Sequence, residues 1–238
     1  MPQQAKRGTQ PTDAQDFGAD ALTVLRKAAE EVCFLLDRGY PAETTVSFVG
    51  NRYRFSERQR LALMRTLSSR QRIAERKRRE VTEIAGNTVW IDGFNVIIGL
   101  EIAFSGSLLF RCMDGTVRDL AGLHGSYRLI PETDQAIRGL LGTLESLRAG
   151  RAVIYLDRPV ANSGRLAQRI RELAAESSVP VEVLVENPVD ALLKTKPLIA
   201  TADAFILDEC GAWINLVRRV ADTQLGHYPY VEILPQTE

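Results

Sequence analysis

The sequence predicts an α/β domain built on a mainly parallel sheet, preceded by a smaller helical and basic region. After about residue 86, short apolar β-branched runs alternate with longer amphipathic segments, the texture of successive βαβ units. Before that point, apolar residues recur at helical spacing. The charge is also partitioned. The 238 residues carry 30 Lys and Arg against 30 Asp and Glu, yet residues 50 to 80 hold eleven bases and three acids, a net of +8. Residues 1 to 49 total −2 and residues 81 to 238 total −6.

Taken in order, residues 1 to 17 are Gln, Thr, Pro and Asp with little to bury, and are expected to form a disordered tail. Ala21, Leu25, Ala28, Val32 and Leu35 then mark an amphipathic helix stopped by Gly39 and Pro41. The stretch ETTVSFVGNRYRF reads as a hairpin around Gly50-Asn51 or, preferably, as a short helix opened by Pro41. Ser56 and Gln59 form a capping-box pattern that opens a helix carrying Leu61, Met64 and Leu67. If that helix runs unbroken to about residue 80, Arg58, Arg65, Arg72, Arg76 and Arg79 cluster within roughly 60° at 100° per residue. They would make one cationic stripe suited to phosphate, although most such runs are solvated faces and Ser68-Ser69 could break this one.

Strands are expected at Val89 to Ile91, Ala152 to Leu156, Val181 to Val185, Leu198 to Ala200 and Val231 to Leu234. Helices fill the gaps, one capped by Thr133, one by Ser163, and one running through Cys210, Ile214 and Val217. SLLFRCMDGTVRDL, with Asp114-Gly115, reads as an inserted hairpin. The expected organisation is a tail over 1–17, a helical basic domain over 18–85 and an α/β domain over 86–238.

Composition excludes several classes. At 45% hydrophobic, 25% charged and 7% aromatic, the chain is an ordinary globular one, neither collagen-like nor wholly disordered. No run approaches the roughly 18 apolar residues of a membrane span, and the polar start lacks a signal-peptide core, so a cytoplasmic protein without a membrane partner is expected. Cys33, Cys112 and Cys210 are odd in number and far apart, and His124 and His227 sit in no ligand-spaced pattern, which argues against zinc and disulfides. Neither GxGxxG nor GxxxxGK[ST] occurs, and Asp92-Gly93-Phe94 lacks the second acid of an Asp-x-Asp phosphatase motif. Asn162, Ser163 and Gly164 at a predicted helix start could hold phosphate, but Ser163 as a plain N-cap explains the same letters better. Phe34, Trp90, Phe205 and Trp213 lie in apolar runs and are expected in the core.

In an open parallel sheet, ligands bind beyond the carboxyl ends of the strands. There the sequence is acidic: VWI ends at Asp92, VIYL at Asp157, and LIATAD places Thr201 and Asp203 after the fourth strand, while Asp190 follows the third. Gly93 would permit close backbone approach, and Asn95 could orient Asp92 or a bound water. Each Asp alone is an ordinary loop or N-cap residue. Together, without His or Cys, they suit a hard cation such as Mg²⁺ or Mn²⁺, which would neutralise the crowded charges and activate water for phosphoryl chemistry.

VWIDGFNVI, VIYLD and LIATADAFILD resemble the PIN-like superfamily, especially its NYN branch, over about residues 87 to 234. FVGNRYRFSERQR resembles an uncharacterised prokaryotic family often fused to such a region. The PIN-like resemblance implies a three-layer α/β/α fold and metal-dependent RNA cleavage by three or four acids. Asp92, Asp157, Asp190 and Asp203 would be the catalytic acids, with Asp92, Asp190 and Asp203 on the Mg²⁺ or Mn²⁺ and Asn95 and Thr201 in support. The helical acid of that family has Asp134 or Glu145 as candidates, neither in an alignable motif. RNA is the expected partner, held in part by the basic region. The alternatives are a non-catalytic RNA- or protein-binding module with a degenerate site, and self-association through the +8 and −6 segments.

Overall fold

A computed structural model describes residues 6–122 and 125–235; His124 lies outside them. In chain order the elements are α1 (Asp13–Asp16), α2 (Ala19–Leu36), α3 (Ala42–Tyr53), α4 (Glu57–Thr66), α5 (Arg70–Arg79), β1 (Thr88–Asp92), α6 (Gly93–Phe104) and the pair β2 (Phe110–Arg111) and β3 (Val117–Arg118). There follow α7 (Thr133–Ser146), β4 (Arg151–Asp157), α8 (Ser163–Ala174), β5 (Val181–Glu186), α9 (Val189–Lys194), β6 (Leu198–Ala200), α10 (Ala204–Leu207), β7 (Ala212–Trp213) and α11 (Leu216–Gln224). Two compact units interleave along the chain: Met1–Arg78 with Ser107–Ala121 and Pro229–Glu238, and Arg79–Gly106 with Gly122–Tyr228. No helix among the described residues is long and apolar enough to cross a membrane.

In the first unit, the helical spacing of Leu25, Ala28 and Val32 buries one face of α2 against Val46 and Val49 of α3 and Ala62 and Leu63 of α4. The segment after Pro41 is the helix α3, not a hairpin. Both arms of the capping box form at α4: Ser56 Oγ accepts from Gln59 N at 3.1 Å, and Gln59 Oε1 accepts from Ser56 N at 3.0 Å. The expected loose tail is not loose over its described part. Asp13 pairs with Arg58, Asp16 accepts from Ser56 Oγ at 2.9 Å, and Phe17 meets Phe110 edge-on at 4.9 Å. Its polar residues find ionic and capping partners on α4, so low hydrophobicity does not leave the segment in water.

The inserted hairpin belongs to this helical unit. Its turn residue Asp114 is buried and accepts from Arg76 Nη1 and Arg118 Nη2, both at 2.8 Å, and from Thr116 Oγ1 at 2.6 Å. Burial pushes the carboxyl up, but Arg118, Thr116 and Arg76 outweigh it and hold it at about 2. Val231, expected in a sheet strand, instead exchanges backbone bonds with the hairpin, through Arg111 N at 3.0 Å and Leu109 O at 2.8 Å.

In the second unit, five parallel strands lie in the order β5-β4-β1-β6-β7. Four of them are the expected strands. Alternate residues face opposite sides. Trp90, Val153, Tyr155, Ile199 and Trp213 pack with Val189 and Leu193 of α9 and Ile206 and Leu207 of α10. On the other face α6 meets Ile154 and Leu156, and Val217 of α11 meets Gly99 of α6. Helix α6 is buried nearly all round, so it shows no amphipathic stripe.

Three local expectations are corrected here. The helix through Cys210, Ile214 and Val217 begins only at Leu216, because Ala212–Trp213 pairs with Leu198–Ile199 as an edge strand. Neither Thr133 nor Ser163 is an N-cap: Glu132 holds that position at α7, and at α8 Asn162 holds it in the left-handed region and donates from Nδ2 to Tyr127 O at 2.9 Å. Phe34 and Phe205 are not core but 56% and 74% exposed, whereas Trp213 is fully buried and Trp90 partly so. Cys33, Cys112 and Cys210 are all buried free thiols, and burial raises Cys33 and Cys112 to about 12 and 11.

Asp114→Asn is expected to lower the unfolding free energy by about 3–5 kcal/mol at neutral pH, since Arg76 would stay buried beside a neutral group. The folded pKa of Asp114 lies below the unfolded one, so this contribution is present above about pH 4 and fades toward pH 2. Urea melts of both proteins across that window check it; a small, pH-independent difference would contradict the hub role.

Candidate functional site

The site is built where β1 ends. The apolar run of β1 buries Val89 and Ile91, and the next residue, Asp92, is both the last of the strand and the N-cap of α6. No connecting loop intervenes, which is possible only because residue 93 is glycine. A Cβ there would stand 2.6 Å from Tyr155 O, 2.6 Å from Leu156 Cδ2 and 2.9 Å from Ile154 Cγ2.

The strand order reverses at β1: the chain proceeds to β4 and β5 on one side, then crosses to β6 and β7 on the other. The crevice between the carboxyl ends of β1 and β6 is therefore the switch point where parallel sheets bind ligands. Hydrogen bonds interlock its two sides. Thr201 Oγ1 donates to Asp92 Oδ2 at 2.8 Å and accepts from Asp203 N at 3.0 Å. Asn95 N donates to Asp92 Oδ1 at 3.3 Å, and Asn95 Oδ1 accepts from Ala202 N at 2.7 Å. Asp203 caps α10, accepting from Phe205 N at 2.7 Å and Ile206 N at 3.3 Å. Asn95 thus orients Asp92 through its main-chain amide, while its side chain holds the end of β6.

Repulsion links the four predicted acids in neighbouring pairs here. Burial pushes Asp92 up to about 7; the Thr201 and Asn95 hydrogen bonds pull it down, and Asp203 and Asp157 push it up again. Asp157 is raised by burial and then by Asp190, against an amide hydrogen bond from Val189. Asp190 is raised by burial and then by Asp203, with Lys194 opposing. Repulsion closes around a ring of Asp92, Asp157, Asp190 and Asp203. Among the described residues none of the four forms an ion pair.

No three His, Cys, Asp or Glu among the described residues already converge to hold one metal ion. The four acids supply oxygen donors only, the kind a hard cation takes, and Mg²⁺ needs just one or two protein carboxylates when water and phosphate complete its shell. The helical acids stand elsewhere: Asp134 is bound by Arg169, and Glu145 accepts from Ser177 Oγ at 2.7 Å and Ser178 N at 2.8 Å.

The cationic stripe is not assembled. The chain is extended at Leu67, which is drawn into the core, so α4 and α5 are separate helices, and Asp37 Oδ1 accepts from Arg70 N at 2.7 Å at the new start. Arg58 serves Asp13, Arg65 serves the carbonyls of Asp119 and Ala121, and Arg76, 1% exposed, serves Asp114. Arg79 donates to Leu207 O at 3.1 Å and Asp208 O at 2.8 Å. Of the five, Arg72 alone is exposed.

One polar cluster has no counterpart in the sequence expectations. Glu101, buried on α6, accepts from Tyr127 Oη and Thr133 Oγ1, and Thr133 Oγ1 also accepts from Ile130 N at 2.9 Å. The one signal for it is a lone acid inside the apolar run IIGLEIAF.

The folded pKa of Asp92 exceeds its unfolded value, so the folded chain keeps a proton that the unfolded chain releases. The corresponding stability is present below about pH 4 and lost as pH rises through about 7, up to about 4 kcal/mol from this group at 1.36 kcal/mol per pKa unit. Asp92→Asn is expected to flatten that window. Urea melts at pH 5 and pH 8 test it, and an unchanged slope in the variant would place the titration elsewhere.

Comparison with known proteins adds family membership. Residues 81–219 match a domain of unknown function, DUF5616, and residues 24–79 match a protein family of unknown function, DUF434. The chain is 37% identical over 185 residues to an uncharacterized protein of Methanocaldococcus jannaschii, covering 77% of this chain and 88% of the relative. No solved structure matches significantly. The longer match contains β1 through β7 and all four acids of the ring. This chain therefore belongs to the DUF5616 family, with a DUF434 region ahead of that domain.

Proposed function

We propose that the sheet-bearing unit is a PIN-like, NYN-type nuclease that hydrolyses phosphodiester bonds of RNA with Mg²⁺ or Mn²⁺. The observation that carries this is the ring of four carboxylates without ion-pair partners at the switch point of a parallel sheet. Asp92 and Asp203 would hold the ion, with Asp190 beside them. When bound, the ion lowers the pKa of a water and stabilises charge on the phosphate.

The chain's own groups do the rest. Thr201 and the Asn95 amide fix the Asp92 carboxylate before any ligand arrives, which spares ordering cost at binding. Asp157, only half-buried, would accept a proton from an attacking water, a role supported by the rise in its basicity on burial. Because burial holds Asp92 at about 7, cation binding would require its deprotonation, and binding is expected to strengthen as pH rises.

Mixed-sequence labelled RNA, incubated with Mn²⁺, Mg²⁺ or EDTA, is expected to be cut by the wild type only with metal. Asp92→Asn/Asp203→Asn, which removes both acids proposed to hold the ion, should cut it at least ~100-fold more slowly, since losing even the groups behind a metal's ligands costs about 10- to 100-fold. Undiminished cleavage in the variant or in EDTA would sink the mechanism; uncut RNA that still binds would leave a binding module. Independently of activity, Mn²⁺ should raise the wild-type melting temperature, since binding adds about 2.7 kcal/mol of stability at a hundred times its dissociation constant. The double variant should show no such shift.

A further inference from the structure

The two edges of the parallel sheet are finished differently. On the β7 side the chain itself covers the edge: Val81 N donates to Trp213 O at 2.8 Å, and Glu80 bridges Trp213. On the other side β5 is the last strand, paired with β4. Ala152 N donates to Pro180 O at 2.9 Å and Arg158 N to Glu186 O at 2.8 Å, so the even-numbered carbonyls of this stretch face β4. Successive carbonyls of a strand point to opposite sides, which turns those of Val181, Val183 and Val185 outward, where an edge strand offers them to another chain.

Arginines take two of these outward carbonyls. Arg171 Nη2, from the last turn of α8, donates to Val183 O at 2.7 Å, and Arg158 Nη2, just past β4, donates to Val185 O at 3.1 Å. Glu186 Oε2 anchors Arg158 at 3.3 Å. The stretch they cover reads VEVLVE, rich in the β-branched residues of a strand that templates another. A second copy's β5 is the strand that fits it. Two copies about a two-fold axis pair antiparallel, and a pairing centred on Val183 sets Val181 opposite Val185 and Glu182 opposite Leu184 of the second copy, so no acid faces an acid.

We infer that Arg158 and Arg171 close the β5 edge against strand addition, so that the chain does not join a second copy of itself through β5. With both acceptors occupied, the N–H groups of an incoming strand would be desolvated and left without partners.

The test is sedimentation equilibrium of the full chain, wild type and Arg158→Gln/Arg171→Gln, from about 1 µM to 1 mM, the range in which unpaired strand edges associate. Gln lacks the guanidinium, keeps helix propensity at residue 171, and replaces side chains exposed at both positions, so the fold should survive. The wild type should stay monomeric and the double variant should self-associate. In amide exchange followed by NMR, Val183 and Val185 should then exchange about 2- to 12-fold more slowly than in the diluted monomer, the span of one net hydrogen bond. Adding Val185→Pro, which deletes an outward N–H and leaves the β4 bonds in place, should return the variant to monomer. A folded double variant that stays monomeric would overturn the inference. So would association that leaves those amides unprotected or survives Val185→Pro, and so would a wild type already paired through β5. Should the double variant not fold, Arg171→Gln alone, which frees the central carbonyl, decides on the same readings.

Discussion

Everything at the site depends on the absence of one carbon atom. At residue 93 the backbone passes so close to Tyr155 O of the neighbouring strand that a Cβ would stand 2.6 Å away. Glycine lets β1 turn directly into α6, and that leaves Asp92 with two duties, ending a buried strand and capping a buried helix. The carboxylate is thereby held inside the protein at the one place where the sheet's strand order reverses. Thr201 and Asn95 then tie it to the end of β6, so the two walls of the crevice are joined through Asp92 and not merely packed beside it.

The same arrangement opposes its own stability. A buried carboxylate facing two others resists ionisation, and the hydrogen bonds from Thr201 and Asn95 offset only part of that resistance. The acids elsewhere in the chain are treated differently. Asp114, equally buried, is given two guanidinium groups and a threonine and stays ionised well below the usual carboxylate range. Asp114 in the hairpin is thus an ionised carboxylate with cationic partners, whereas the acids at the ends of the strands have hydrogen-bond donors and, among the described residues, no ion pair.

The arginines follow the same division. Their run looks like a phosphate-binding stripe because it is dense and regularly spaced, yet most of its members complete internal contacts. Arg58 holds the N-terminal segment, Arg65 and Arg76 hold the hairpin and its flank, and Arg79 holds the turn that carries Phe205. The net charge of the segment reflects how many carbonyls and carboxylates this small helical unit must satisfy as much as any affinity for a partner.

Local pattern determined a large part of this protein. The stripe of α2, the capping box at Ser56, the turn at Asp114-Gly115, four apolar strands and the acids at their ends are short-range features, since each depends on neighbours within a few residues. Tertiary structure decided what short range cannot encode. The break at Leu67 arises because the core competes for that side chain. The edge strand at Ala212–Trp213 exists because β6 offers it a partner, and the exposure of Phe205 follows from which side of a four-residue turn faces the sheet. Helix α6 lacked an amphipathic signature because it is covered on every side. Sequence thus determined which residues end the strands. Only the crossover that sets β6 beside β1 decided that Thr201 reaches Asp92, because convergence of groups over a hundred residues apart is a property of topology and not of spacing.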